Sequence, residues 1–313
     1  MKLKMHDLLT DRLAMSPFWK RVGWSLESAE AGRVRVRLPY SEANTTAATA
    51  LHGGVIAATL DVAGSLAAWS AEQPVEDVRG RTLGCDVSYI AGALGEDVFG
   101  EAEVLRRGRE IVFSSVRAVN GEGKLLASGN HIYHFAPPHD VPAAPDEENV
   151  AASAPGRTMS GIAQLAAADS QRVLKNLELL NNLDGRMPYM AQLGWEFCGG
   201  AFGLAEFVLP CKGHAIGDDG GIAGGALLTA VDHAGSLAAW MTSELGNRGL
   251  FGSTVNTKLH TFAPAIARDV IVKARAVGGS GTLINAEVNI QTRNGEPVAA
   301  GSTVYRIVKR ERG

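Results

Sequence analysis

Two kinds of apolar pattern alternate along this chain, and the alternation happens twice. Positions 33–38, RVRVRL, switch between polar and apolar at every step, the period of a strand with one wet and one buried face. Positions 51–69 then read LHGGVIAATLDVAGSLAAW, apolar almost throughout, opening near Gly-Gly and holding one carboxylate, Asp61. Its Ala and Leu content predicts a helix of about five turns, largely wrapped by protein. Four strand-like runs follow, at 82–90, 98–105, 111–119 and 124–135. In the second half, 205–209 answers 33–38, and 222–240 reads IAGGALLTAVDHAGSLAAW around Asp232. Strand-like runs then recur over 253–308. A first strand, a long helix and a series of antiparallel strands predict an α+β fold, a curved sheet wrapped on one helix, built twice.

The copies align at a shift of 171 beyond the helices themselves. Pro17-Phe18, Gly23-Trp24 and Leu38-Pro39 return as Pro188-Tyr189, Gly194-Trp195 and Leu209-Pro210. Asn120-Gly121 and Asn294-Gly295 each predict a tight turn between strands. A period this long exceeds any solenoid unit and indicates two homologous domains. We place them at 1–137 and 159–313, with a linker at 138–158, because 137–155 reads PPHDVPAAPDEENVAASAP and has little to bury. Past the linker, Ile162, Leu165, Val173, Leu177 and Leu180 predict a helix over 159–183.

Composition narrows the partners. Of 313 residues, 46% are hydrophobic and 20% charged, the mix of a globular protein. A net charge of -3 gives no reason to expect nucleic acid or an anionic membrane. Three cysteines with no CxxC pair argue against a disulfide framework or zinc knuckle and fit the cytoplasm. The first residues, MKLKMHDLLTDRLAMS, are broken by charge before a signal-peptide core develops, and the apolar repeats are short for a span.

The chemistry concentrates at the repeated helix. Backbone N–H groups at a helix start are unpaired and carry positive partial charge, and a glycine there admits a ligand oxygen. Gly53-Gly54 and Gly224-Gly225 therefore suit a carbonyl developing into an oxyanion; the alternative is that they only allow close packing. A mid-helix Asp amid apolar residues is costly unless local donors satisfy it, or unless it serves as a base or nucleophile. From Gly53 to Asp61 is about 12 Å along a helix, too far for one helix to hold a carbonyl and attack it. Each helix start must then face the other copy's Asp across a pseudo-twofold axis.

His-Gly-Gly at 52–54 with Asp61 nine residues after the His resembles the hot-dog-fold acyl-CoA thioesterases of the phenylacetate-degradation (PaaI) type, here as a tandem pair. The later strands, GCDVSYIAGA at 84–93 and LRRGREIVFSSVRAVNGEGKLLASGNH at 105–131, look like the same fold. The resemblance implies a thioester carbonyl held by the glycine N–H, an Asp from the other unit that activates water or attacks directly, and a polar helper on the following strand. Carried over, one centre comprises His52, Gly53 and Gly54 with Asp232, helped by Asn256; the other comprises Gly224 and Gly225 with Asp61. Ala223 stands where the second His belongs, and Gly84 at the first-half helper position, so the Asp232 centre is expected to be the more complete. The family often has an Asn six residues before the His; here Thr46 is there, with Asn44 two residues upstream. The resemblance further implies an acyl-CoA substrate, no cofactor beyond the coenzyme A it carries, and a homodimer of tandem chains. A non-catalytic acyl-CoA-binding module on this fold is the alternative.

Other candidates have plainer readings. His52 is expected to brace the helix start, and His233 to pack. His131 and His134 lie three apart on a strand, on opposite faces, so no metal site is expected. Arg107 and Arg109 flank Gly108 at a hairpin tip, either as a solvated turn or as contacts to coenzyme A phosphates.

Overall fold

A computed structural model describes residues 5–47, 49–71, 79–136, 167–183, 187–217, 219–244, 249–264 and 268–309. Two short helices, α1 (Met5–Met15) and α2 (Pro17–Val22), lead into the hairpin of β1 (Ser25–Glu30) and β2 (Arg33–Leu38). A small ribbon, β3 (Thr45–Ala47) with β4 (Ala50–Leu51), delivers the chain to α3 (Gly53–Ser70). Strands β5 (Arg79–Tyr89), β6 (Val98–Arg107), β7 (Ile111–Asn120) and β8 (Leu125–Ala136) complete the first unit. The second unit has α4 (Ala167–Leu183), α5 (Pro188–Leu193), β9 (Glu196–Ala201), β10 (Leu204–Leu209), α6 (Gly224–Trp240), β11 (Leu250–Thr261), β12 (Val270–Ser280), β13 (Leu283–Thr292) and β14 (Pro297–Lys309). The expected linker lies outside the described residues, as do the first eight positions of the helix expected at 159–183.

The strands form one twelve-stranded antiparallel sheet in the order β1-β2-β6-β7-β8-β5-β11-β14-β13-β12-β10-β9. Reading inward from either end gives the same sequence of counterparts, so the sheet is two six-stranded units joined at β5 and β11. That junction runs from Asn256 opposite Ser88 to His260 opposite Gly84, and Lys258 faces its own counterpart, Asp86. The Lys258 ammonium lies 3.1 Å from the Asp86 carboxylate. Each unit is the sheet-wrapped helix of the hot-dog fold, and the chain is a tandem of two.

Why α3 and α6 are so uniformly apolar is explained by what surrounds them. Every residue of α3 after Gly53 is buried. Its hydropathy and length would suit a bilayer span, yet 94% of it is covered by protein. The helices pack against each other inside the curved sheet, and the glycine at the second helical position allows their close approach. A Cβ on Gly54 would lie 2.6 Å from Thr229 of α6, and one on Gly225 would lie 3.0 Å from Ala58 Cβ of α3. One apolar cluster consequently runs through both units. At about 25 cal/mol per Å² of apolar surface buried, this shared core couples the halves into one body.

Candidate active site

The antiparallel approach of α3 and α6 sets the start of each helix against the carboxylate of the other. A Cβ on Gly53 would stand 2.9 Å from Asp232 Oδ2, and one on Gly224 would stand 3.0 Å from Asp61 Oδ1. The geometry thus brings the sequence-predicted residues together in two crossed composite centres. They are not alike.

At the Asp232 centre, His52 is the N-cap of α3, and its Nδ1 accepts the Gly54 N–H at 2.9 Å. The ring therefore braces the helix start, as its position in the sequence suggests. Burial pushes its pKa down to about 4, so it stays neutral. Asp232, 3% exposed, accepts from Thr254 Oγ1 at 2.7 Å and Thr257 Oγ1 at 3.4 Å. His52 Nδ1 lies 3.8 Å from its Oδ2. Desolvation outweighs these bonds and raises the Asp232 pKa to about 6. Tyr89 closes in from β5, its hydroxyl donating to the Gly53 carbonyl at 3.1 Å. His233 packs near His52, Trp195 and Phe207, and burial lowers its pKa.

The Asp61 centre has a different set of partners. Thr82 Oγ1 donates to Asp61 Oδ1 at 2.6 Å, and His131 Nε2 lies 3.2 Å from the same oxygen. A proton on Nε2 makes the imidazole a second donor to the carboxylate. His131 comes from β8 and rests on α3 at Gly64, where a Cβ would meet the ring at 2.5 Å. A glycine three residues after Asp61 is what lets the imidazole reach it. The counterpart pair in the second unit is Gly235 and Thr303, and there Thr303 Oγ1 donates to the Val231 carbonyl. Facing Asp61, Ala223 is the N-cap of α6 and provides no side-chain cap bond. The first N–H groups of that helix are then not taken by a cap, unlike Gly54 N–H. Asp61, Thr82, Ala223 and Gly224 line a narrow pocket that opens to solvent.

Several sequence expectations need correction. Asn256 does not help Asp232. Its Nδ2 donates to Asp86 Oδ1 at 2.7 Å and the Val87 carbonyl at 3.0 Å, across the junction of the units. The register of β11 slips between Thr254 and Asn256, and that of β5 slips at the equivalent place, between Thr82 and Gly84. The slip turns Thr254 and Thr82 toward the helices, so each threonine occupies the helper role expected two residues later. The Asp61 centre consequently has its helper, contrary to the reading of Gly84 as a gap.

Asn44 is a brace rather than a substrate contact. It is buried, donates to the Val22 carbonyl at 3.1 Å, accepts from Gln192 Nε2 at 3.1 Å, and its carbonyl takes the His52 N–H at 3.0 Å. Thr46 sits half-buried in β3 beside it. Arg107 folds back on its own hairpin, donating to the Gly108 and Arg109 carbonyls and lying over the Phe135 ring at 5.0 Å, while Arg109 is exposed. Sequence reasoning missed His131, Thr82, Thr254 and Thr257; Gly64 inside a helix was the one available signal for His131. Among the described residues no group of three or more His, Cys, Asp or Glu could hold a metal ion.

Comparison with known proteins identifies the family and the fold. The family described as thioesterase superfamily matches residues 49–127. Human acyl-coenzyme A thioesterase 13 is 34% identical over 113 residues, covering 36% of this chain and 79% of the relative. The TesB protein of Mycobacterium avium subs. paratuberculosis matches 97% of this chain and 99% of its own at 13% identity, with a TM-score of 0.56. A hot-dog-fold protein of unknown function from Alicyclobacillus acidocaldarius matches 92% of this chain and 97% of its own, at 15% identity and a TM-score of 0.53. These last two likenesses establish the tandem fold over nearly the whole chain.

Proposed function

We propose that this chain, which belongs to the thioesterase superfamily, hydrolyses acyl-CoA thioesters at the centre formed by Asp61 and the start of α6. The observation that carries the reading is the pocket in which Asp61, Thr82 and Gly224 meet. In the reaction the thioester carbonyl oxygen lies against the Gly224 N–H, where partial positive charge supports the developing oxyanion. Asp61, oriented by Thr82 and His131, takes a proton from water as the water oxygen bonds to the carbonyl carbon. Collapse of the tetrahedral species breaks the C–S bond, and the coenzyme A sulfur leaves with the proton as a thiol. Direct attack by Asp61, through an acyl-enzyme anhydride that water then opens, uses the same atoms. No metal or separate cofactor enters either route; coenzyme A enters only with the substrate.

The Asp232 centre fits a lesser role. The Gly54 N–H there is held by His52, and Tyr89 stands where the other centre has the smaller Thr261. The missing His at position 223 leaves the Gly225 N–H without the cap that His52 gives its counterpart Gly54, so that N–H can join Gly224 in facing the carbonyl oxygen. His-Gly-Gly and Asp61 keep the spacing of the PaaI type, and we place the chain there. Three free thiols fit a cytoplasmic setting. The outer strands β1 and β9 and the sheet backs are available for a homodimer.

The test is release of coenzyme A thiol from a panel of aliphatic and aromatic acyl-CoA esters, by wild type and by Asp61→Asn. The reading expects turnover by the wild type, reduced at least about 10²-fold in the variant with folding retained. Binding of the esters without turnover by wild type would point instead to an acyl-CoA-sensing module.

A further inference from the structure

The pocket at Asp61 carries two hydrogen-bond donors that the proposed hydrolysis does not use. Arg81 lies on its wall, one residue before Thr82. Among the described residues its Nη1 is shut off from solvent and finds no acceptor, and its Nη2 reaches the Phe262 carbonyl, at 3.4 Å. Asp219, also on the wall, attracts the guanidinium but engages the Gly221 N–H at 2.9 Å. Trp19, 4% exposed, lines the same pocket, and its indole Nε1 likewise has no acceptor among the described residues.

Neither residue is repeated in the other unit. The counterpart of Trp19, at the same place in α5, is Met190, and the counterpart of Arg81, one residue before Thr254, is Ser253. Both donors therefore belong to one centre only, that of Asp61. Guanidinium and indole N–H groups donate and never accept. An alkyl chain leaves both unsatisfied, whereas a carboxylate or phosphate offers the acceptors and the opposite charge that a half-buried guanidinium favours.

We propose that Arg81, with Trp19 beside it, is a specificity determinant that selects thioesters carrying an anionic group within reach of this pocket. The proposal rests on the Asp61 centre being the one that takes substrate. Two parts of an acyl-CoA can supply the anion: a carboxylate at the far end of the acyl chain, or a phosphate of the coenzyme A.

Binding measured by calorimetry separates these without depending on turnover. The probes are non-hydrolysable thioethers, hexyl and 5-carboxypentyl, each on coenzyme A and on N-acetylcysteamine, which has no phosphate. The proteins are wild type, Arg81→Met and Arg81→Lys. If the acyl carboxylate is read, wild type prefers the carboxypentyl probe by about tenfold or more on either thiol. Arg81→Met then abolishes the preference, and Arg81→Lys retains part of it. If a coenzyme A phosphate is read, Arg81→Met weakens both coenzyme A probes about equally and neither N-acetylcysteamine probe. A merely structural Arg81 would weaken all four probes alike. That result, or unchanged binding of all four by Arg81→Met, overturns the proposal. Intact discrimination with no hydrolysis of the matching esters would instead overturn the thioesterase reading and leave this one standing.

Discussion

At the scale of single residues, the centres differ most in what their glycines and carboxylates face. A Cβ on Gly224 would lie 2.6 Å from Thr82 Oγ1 and 3.0 Å from Asp61 Oδ1, in the space assigned to the thioester oxygen. Gly224→Ala should therefore lower kcat/KM by about 10² or more, the scale of losing an oxyanion donor. Steady-state thiol release checks this, and near-normal kinetics would remove Gly224 from the site. Asp232 permits a prediction of opposite character. Its folded pKa of about 6 lies above the ordinary 3.8. The folded protein then binds the proton more tightly than the unfolded chain, so stability falls as pH rises from about 4 to about 6, and the full cost is present above 6. Asp232→Asn has no such titration. Between pH 4.5 and 8 the stability of the variant relative to wild type should rise, by roughly 2 kcal/mol at 1.36 kcal/mol per pKa unit. Urea unfolding at both pH values measures the change; a gap that stays constant would mean Asp232 titrates normally.

At the scale of elements, the helices were plain in the sequence and the strand details were not. An apolar run opening on Gly-Gly identified α3 and α6, and the distance between Gly53 and Asp61 required that the two helices face each other crosswise. Helix periodicity is rigid, so that inference survives to atomic detail. The helper residues were misplaced by two positions because a β-bulge leaves no mark in the alternation of polar and apolar residues. Before the bulge Thr82 and Thr254 point inward; after it Asn256 points to the neighbouring unit. His131 escaped notice because its partner, Asp61, lies 70 positions away, and only the fold brings them together. Asn256 should accordingly matter to stability and little to rate. Loss of its bonds to Asp86, Val87 and Ser88 in Asn256→Ala should cost about 1–3 kcal/mol. Thermal melts with parallel kinetics test this. A hundredfold fall in rate at unchanged melting temperature would return Asn256 to the active centre.

At the scale of the whole molecule, the repeat builds within one chain a twofold arrangement whose halves have drifted apart. The first unit kept the better-supported acid, Asp61 with Thr82 and His131; the second supplies the uncapped helix start it faces. The sequence displayed the duplication clearly, but it ranked the centres by counting motif residues, and the missing His at 223 counted as a defect. The proposed ranking is the reverse, on the strength of the Thr82 and His131 contacts to Asp61 and the pocket beside it. Because the outer edges of β1 and β9 pair with no further strand among the described residues, the chain should associate further. Light scattering at micromolar concentration should give twice the 32.9 kDa of one chain, and a clean monomer would contradict that. The central claim is the inequality of the two centres, and its most direct measurement is kcat/KM for the best acyl-CoA ester with Asp61→Asn and Asp232→Asn side by side. The account predicts a loss of at least about 10² for Asp61→Asn and less than about tenfold for Asp232→Asn, both variants folded. Loss of activity in Asp232→Asn with Asp61→Asn near normal would contradict it.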